Sequence, residues 1–213
     1  MQEEIPQDTY FTIATPTEGL YKDKGSKFLA YAIPVANEDE IRQRLEELRK
    51  KHYDARHHCY AWILGMDAEN YRANDDGEPN HSAGDPILNQ IKSFELSDVL
   101  VVVVRYFGGT KLGVSGLIQA YKEATREALQ IAEKREVVLK TRLTFHFEYE
   151  AMNEVMRTVK DLDLEVLEQD FRQSCKLHCL IRNALIPQLE SRLTYVPGLS
   201  SWELEGKDDK ELK

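Results

Sequence analysis

The chain has 213 residues, 42% of them hydrophobic, which suits two small domains with packed cores and excludes an intrinsically disordered chain. Its formal net charge is -9, and a split at Arg135 leaves -5 before it (17 basic, 22 acidic) and -4 after it (11 basic, 15 acidic). Neither half attracts nucleic acid by bulk charge, so any such contact needs a local basic patch.

In chain order, the opening MQEEIPQDTY carries acidic residues and no apolar h-region, so a secretory signal is not expected. No apolar run approaches the roughly 20 residues that span a bilayer, and the expected location is the cytoplasm. Tyr10–Ala14 reads as a strand ended by the turn-rich TPTEG, and Ser26–Val35 as a second strand with Pro34 near its end. Asn37 with Glu40 forms a capping-box signal, and Ile41, Leu45 and Leu48 recur at helical spacing, which predicts a helix over Glu38–His52. His57–Leu64 is a strand. The polar stretch MDAENYRANDDGEPNHSAGD is read as one long loop, a length usual for functional segments. Pro86–Phe94 is a helix with Pro86 near its start. The run VLVVVV is apolar at every position, as a strand buried on both faces requires. Arg105–Gly113 then forms a glycine-punctuated turn into a long helix from Val114 to about Lys134.

The remainder reads as a strand over Val137–Tyr149, a helix over Met152–Leu162, strands over Glu165–Phe171 and Lys176–Ile181 joined by a tight turn around Gln173, a helix over Leu185–Leu193 and a short strand over Ser201–Glu205. The charged tail after it is expected to fray. The order β-α-β-β-α-β is the split βαβ, or ferredoxin-like, pattern. Cys59, Cys175 and Cys179 are too few for a disulfide framework and are expected to be reduced and structural. No second pair completes a metal site, so neither a metal nor a cofactor is expected.

Three groups of residues are candidates for function. In RYFGGTKLGVSG, a buried strand delivers Gly108, Gly109 and Gly113 to a helix N-terminus, where backbone N–H groups and the helix dipole favour an anion. Arg105 and Lys111 add positive charge and Ser115 a hydroxyl. The spacing fits neither the Walker A loop nor G-x-G-x-x-G. The alternative is that these glycines only make a sharp turn. The second group is Arg56-His57-His58-Cys59, where Arg56 and His58 share one strand face and His57 and Cys59 the other. A polar strand end beside a shared cleft is favoured there over a catalytic thiol. The third group is Asp75, Asp76 and Glu78 around Gly77, with His81 and Ser82. Acids around a glycine turn can hold a divalent cation, but the string lacks the alternating ligands of an EF-hand loop, and a surface turn beside the same cleft is favoured.

The strings DGEPNHSAGDPIL and VVVVRYFGGTKLGVSGLIQAY, with the spacing between them, resemble the YigZ/IMPACT family over about Gly19–Glu133. Asn80-His81-Ser82 and Val114-Ser115 depart locally from that pattern, which commonly has small residues there. The resemblance implies an α+β chain of two domains. Residues 1–135 would be like domain 2 of ribosomal protein S5, and residues 136–213 a ferredoxin-like domain resembling the last domain of elongation factor G. It also implies a regulatory binding role in translation, with RNA or ribosome-associated proteins as partners and the glycine-rich turn as the contact. An enzyme acting on a small anionic or phosphorylated substrate in the same cleft, and a protein-interaction adaptor, are the alternatives. A binding protein is expected more than an enzyme.

Overall fold

A strand apolar at every position needs cover on both sides, and the run from Val99 sits at the centre of a five-stranded sheet between two helical layers. The structure, a computed structural model, describes residues 8–172 and 174–212, so the turn expected at Gln173 and most of the opening segment lie outside it. In chain order its first elements are β1 (Thr9–Ile13), β2 (Thr17–Asp23), β3 (Ser26–Pro34), α1 (Glu38–Lys51), β4 (His57–Leu64), β5 (Asn70–Asn74), α2 (Gly84–Ser93), β6 (Val99–Tyr106) and α3 (Gly113–Leu129). There follow β7 (Lys134–Phe147), α4 (Met152–Asp161), β8 (Glu165–Asp170), β9 (Cys175–Arg182), α5 (Ile186–Leu193) and β10 (Leu199–Leu212), with short 3-10 turns before α4 and α5. The chain divides into two compact units, one of Tyr10–Glu136 and one of the residues from Val137 onward with Asp8 and Thr9.

In the first unit the strand order is β2-β3-β6-β4-β5, antiparallel throughout. Alternate residues of β3, β4 and β6 turn to opposite faces. Phe28, Cys59, Val101 and Val103 pack with Ile87 and Ile91 of α2 and Leu117 and Tyr121 of α3. Tyr31, Tyr60, Leu100 and Val102 pack with Ile41 and Leu48 of α1 on the other side. Double cover is what makes an unbroken Val run favourable here. Asn37 caps α1, its side chain accepting from the Glu40 amide at 3.0 Å.

Two strands depart from the expected pattern. β2 lies where a turn was expected at its start, and β5 lies inside the stretch read as one loop. α3 ends at Leu129 rather than near Lys134, and β7 begins where that helix was expected to finish. A two-residue turn joins β2 to β3, with Lys24 (φ 43°) and Gly25 (φ 81°) both left-handed. That is the backbone a tight hairpin demands, and Lys24 adopts it at a cost of about 1–2 kcal/mol relative to glycine.

The second unit holds a sheet in the order β10-β7-β9-β8, again antiparallel. Its core joins Leu143, Phe145 and Phe147 of β7 and Leu177 of β9 to Val155 of α4 and Leu189 of α5. Cys175 and Cys179 point into that core, and burial pushes the Cys179 thiol up to about 11. All three cysteines are free and buried. The tail does not fray as expected: β10 runs on to Leu212, pairing with β7 as far as Val137. Among the described residues, no helix is long and apolar enough to cross a membrane.

Candidate functional site

The site grows from the last residues of β6. Arg105 follows the Val run in register with His57 of β4 and Phe28 of β3, on the face that carries Cys59 and meets α3. Its guanidinium is buried and donates to Glu78 Oε1 at 2.6 Å. The Tyr121 hydroxyl of α3 donates to the same oxygen at 2.8 Å. Cys59 Sγ lies 3.3 Å from that hydroxyl and 2.9 Å from the Asp75 carbonyl oxygen. One carboxylate from the 75–84 loop thus ties together the end of β6 and the middle of α3. A charge buried this far is tolerated only when paired and hydrogen-bonded. Arg105 Nε remains buried without a hydrogen-bond partner among the described residues, with the guanidinium 5.4 Å from the Phe28 ring and 5.6 Å from the Phe107 ring.

The rest of the 75–84 loop is fixed by its acids. Asp75 accepts from three amides, Ala83 and Gly84 at Oδ1 and His81 at Oδ2, each at 2.9 Å. The Ala83 and Gly84 amides are donors that the start of α2 leaves unsatisfied. Burial opposes the charge on Asp75, but the Gly84, His81 and Ala83 amides outweigh it and hold the carboxyl below its ordinary range. Asp76 Oδ2 accepts from the His58 amide at 2.7 Å, the Asp76 carbonyl meets His57 Nδ1 at 2.9 Å, and Arg49 of α1 lies 3.1 Å from Asp76 Oδ1. Ser82 is buried and donates to the Pro79 carbonyl at 2.6 Å. His81 is exposed, with Nδ1 2.7 Å from Asp85.

The titratable groups of this cluster are turned inward. Burial pushes the Cys59 thiol and the Tyr121 hydroxyl far up, so neither ionises near neutrality. His58 is buried beneath α1, its Nε2 without a partner among the described residues, and burial lowers its pKa against the opposing pull of Asp76. Among the described residues no group of three or more His, Cys, Asp or Glu is placed to hold a metal ion.

The glycine turn forms the outward layer. Gly108 crosses the β2–β3 hairpin so closely that a Cβ there would stand 1.9 Å from the Gly25 carbonyl carbon and 2.1 Å from the Ser26 nitrogen. Its amide donates to Ser26 Oγ at 3.1 Å. Gly109 (φ 88°) has open space around it. Gly109, Lys111, Gly113 and Ser115 are exposed, as are Phe107 and Arg56. The first turn of α3 holds no acidic residue, and no side chain caps it. Of the candidates, Arg105 and Glu78 meet at the end of β6, His57 and His58 both contact Asp76 but face opposite sides of β4, Ser82 and His81 lie just before α2, and Lys111 and Ser115 face solvent. Tyr121 was not among the expected site residues; the only signal for it was a hydroxyl in an otherwise apolar helix row, which burial obliges to find a partner. Nor was the β2–β3 hairpin, whose tip meets Gly108.

Residues 24–129 match the family described as the Impact N-terminal domain. The IMPACT family member of Haemophilus influenzae is 31% identical over 80% of this chain and 84% of its own length. YigZ of Escherichia coli, also an IMPACT family member, is 29% identical over 87% of this chain and 92% of its own. YvyE of Bacillus subtilis is 39% identical, but the match spans 57% of this chain and only 56% of that protein. A solved structure described as that of a hypothetical protein superposes with a TM-score of 0.68, at 27% identity, over 95% of this chain and all of that one.

Proposed function

The chain belongs to the IMPACT family, and from that membership we propose that it is a regulatory binding protein of translation. In this reading it contacts RNA or ribosome-linked partners through the glycine-rich turn at Phe107–Gly113. The translational role is what resemblance to the family implies. The observation that carries the choice of a binding role is the division between the two layers at the end of β6. Arg105, Glu78, Asp76 and Cys59 are spent on holding the loop, while Gly109, Lys111, Gly113 and Ser115 stand exposed on the rigid base this makes. A buried thiol with a raised pKa and an arginine neutralised by its neighbour suit a scaffold better than acid–base chemistry. We read residues 1–135 as an S5 domain 2-like domain and residues 136–213 as a ferredoxin-like one. The antiparallel order β10-β7-β9-β8 supports the second assignment.

Pelleting through a sucrose cushion with ribosomes tests the proposal. The wild-type chain is expected in the pellet at low salt, and Lys111→Glu in the supernatant. A chain that stays in the supernatant, or pellets equally well with Lys111 reversed in charge, overturns it.

A further inference from the structure

A hollow of about 470 Å³ opens beside the glycine turn on the α1 side of the sheet, lined by Gly25, Lys27, Leu29, Asp54, Tyr106 and Phe107. Three features mark it. First, Lys22 of β2 stands directly opposite Lys27 of β3, and Lys27 opposite Tyr106 of β6, so two lysines and a tyrosine form one row across three strands. Like charges set opposite each other weaken a sheet. Among the described residues no acidic side chain pairs with either lysine, and Lys24 at the hairpin tip and Lys111 in the adjoining turn are likewise unpaired and exposed. In a chain of net charge -9 this corner is a local exception. Second, Phe107 keeps 55% of its surface in solvent at the rim. Third, one carboxylate, Asp54, stands in the wall of the hollow. Asp54 accepts from the Tyr106 hydroxyl at 3.0 Å, and that hydroxyl also meets His52 Nδ1 at 2.9 Å.

We propose that this hollow takes one unstacked base of a single-stranded RNA, with the strand's phosphates running along Lys22, Lys27 and Lys24. The proposal rests on the RNA-contact reading of the glycine turn and names what that corner recognises. Asp54 repels a phosphate and accepts from a base N–H, so the base enters the hollow and the backbone stays on the lysine row. Phe107 offers the ring on which a base stacks, which a base inside a duplex cannot use. An acidic peptide would meet the same lysines, but it would bring carboxylates against Asp54.

Fluorescence anisotropy of a labelled 12-nucleotide cytidylate strand with the full chain tests this. The single strand is expected to bind, and the duplex of equal length at least tenfold more weakly. Phe107→Ala is expected to weaken binding about tenfold, within the range of one lost base stack. Lys22→Ala with Lys27→Ala is expected to flatten the slope of log K against log salt by about 1.4, at about 0.7 per phosphate contact. All three residues are exposed, and circular dichroism melts check that the variants fold. No binding, equal binding of the duplex, or indifference to both variants overturns the proposal. So does polyglutamate binding with the same dependence on Phe107 and the lysine pair, which would assign the corner to an acidic protein surface. Ribosome pelleting that persists while the oligonucleotide fails overturns this proposal alone. Oligonucleotide binding that behaves as expected with no ribosome pelleting overturns the translational reading alone.

Discussion

Glu78 receives two donors on one oxygen, one from β6 and one from α3. Removing the carboxylate leaves the Arg105 guanidinium buried and unpaired, so Glu78→Ala is expected to destabilise the chain by about 3–5 kcal/mol in urea unfolding. Glu78→Leu with Arg105→Leu should cost less than the two single changes together, because the double variant strands no charge. A double variant as costly as the sum would show that the pair is not coupled. The histidines beneath α1 give a dependence on pH. Burial lowers the pKa of both His52 and His58 in the folded chain, so below the ordinary histidine value of 6.5 the unfolded chain binds the protons that the folded chain refuses. Stability is therefore complete above 6.5 and falls as pH drops below it. Asp75 works in a lower window: its depressed pKa contributes stability above 3.8 that is lost on further acidification. Urea midpoints measured from pH 7.5 to 5 check the histidine part, and His58→Gln should flatten the decline.

At the scale of elements, the meeting of the β2–β3 hairpin with the end of β6 is set by one missing side chain. Gly108→Ala forces backbone against backbone at Gly25 and Ser26, whereas Gly109→Ala meets open space and suffers only its positive φ. The second change is expected to cost about 1–2 kcal/mol in thermal or urea unfolding, and the first distinctly more, with loss of the hairpin's amide protection in hydrogen exchange. Equal costs would mean that the hairpin does not depend on that approach. The elements legible in the sequence are those whose pattern is a consequence of burial. The Val run and the Ile41–Leu48 stripe match their observed faces, and the strand expected over Lys176–Ile181 lies within β9. β2 and β5 were missed because they are sheet-edge strands with no fully buried residue, so their pairing is decided by neighbours rather than by their own hydropathy. The tail of β10 was not legible either, its strand state resting on the long β7 beside it. In the site, the glycine turn and the acidic loop could be read from spacing. That Glu78 joins them through Arg105 and Tyr121 could not, since 43 residues separate Glu78 from Tyr121 and nothing local records the contact.

For the whole molecule, an acidic chain that meets RNA must do so on a small part of its surface, and the end of β6 with the β2–β3 hairpin is one place where, among the described residues, several exposed lysines stand close in the fold without acidic partners. The two units have separate cores, so changes in one leave the other's packing to be read independently. In the proposed function, contact is expected at this corner of the first unit. Backbone amide NMR of the ¹⁵N-labelled full chain, titrated with the 12-nucleotide RNA strand, tests that directly. The first and largest shifts are expected on Lys22–Lys27 and Phe107–Ser115. Shifts confined to β7–β10, or spread evenly over both units, would contradict it.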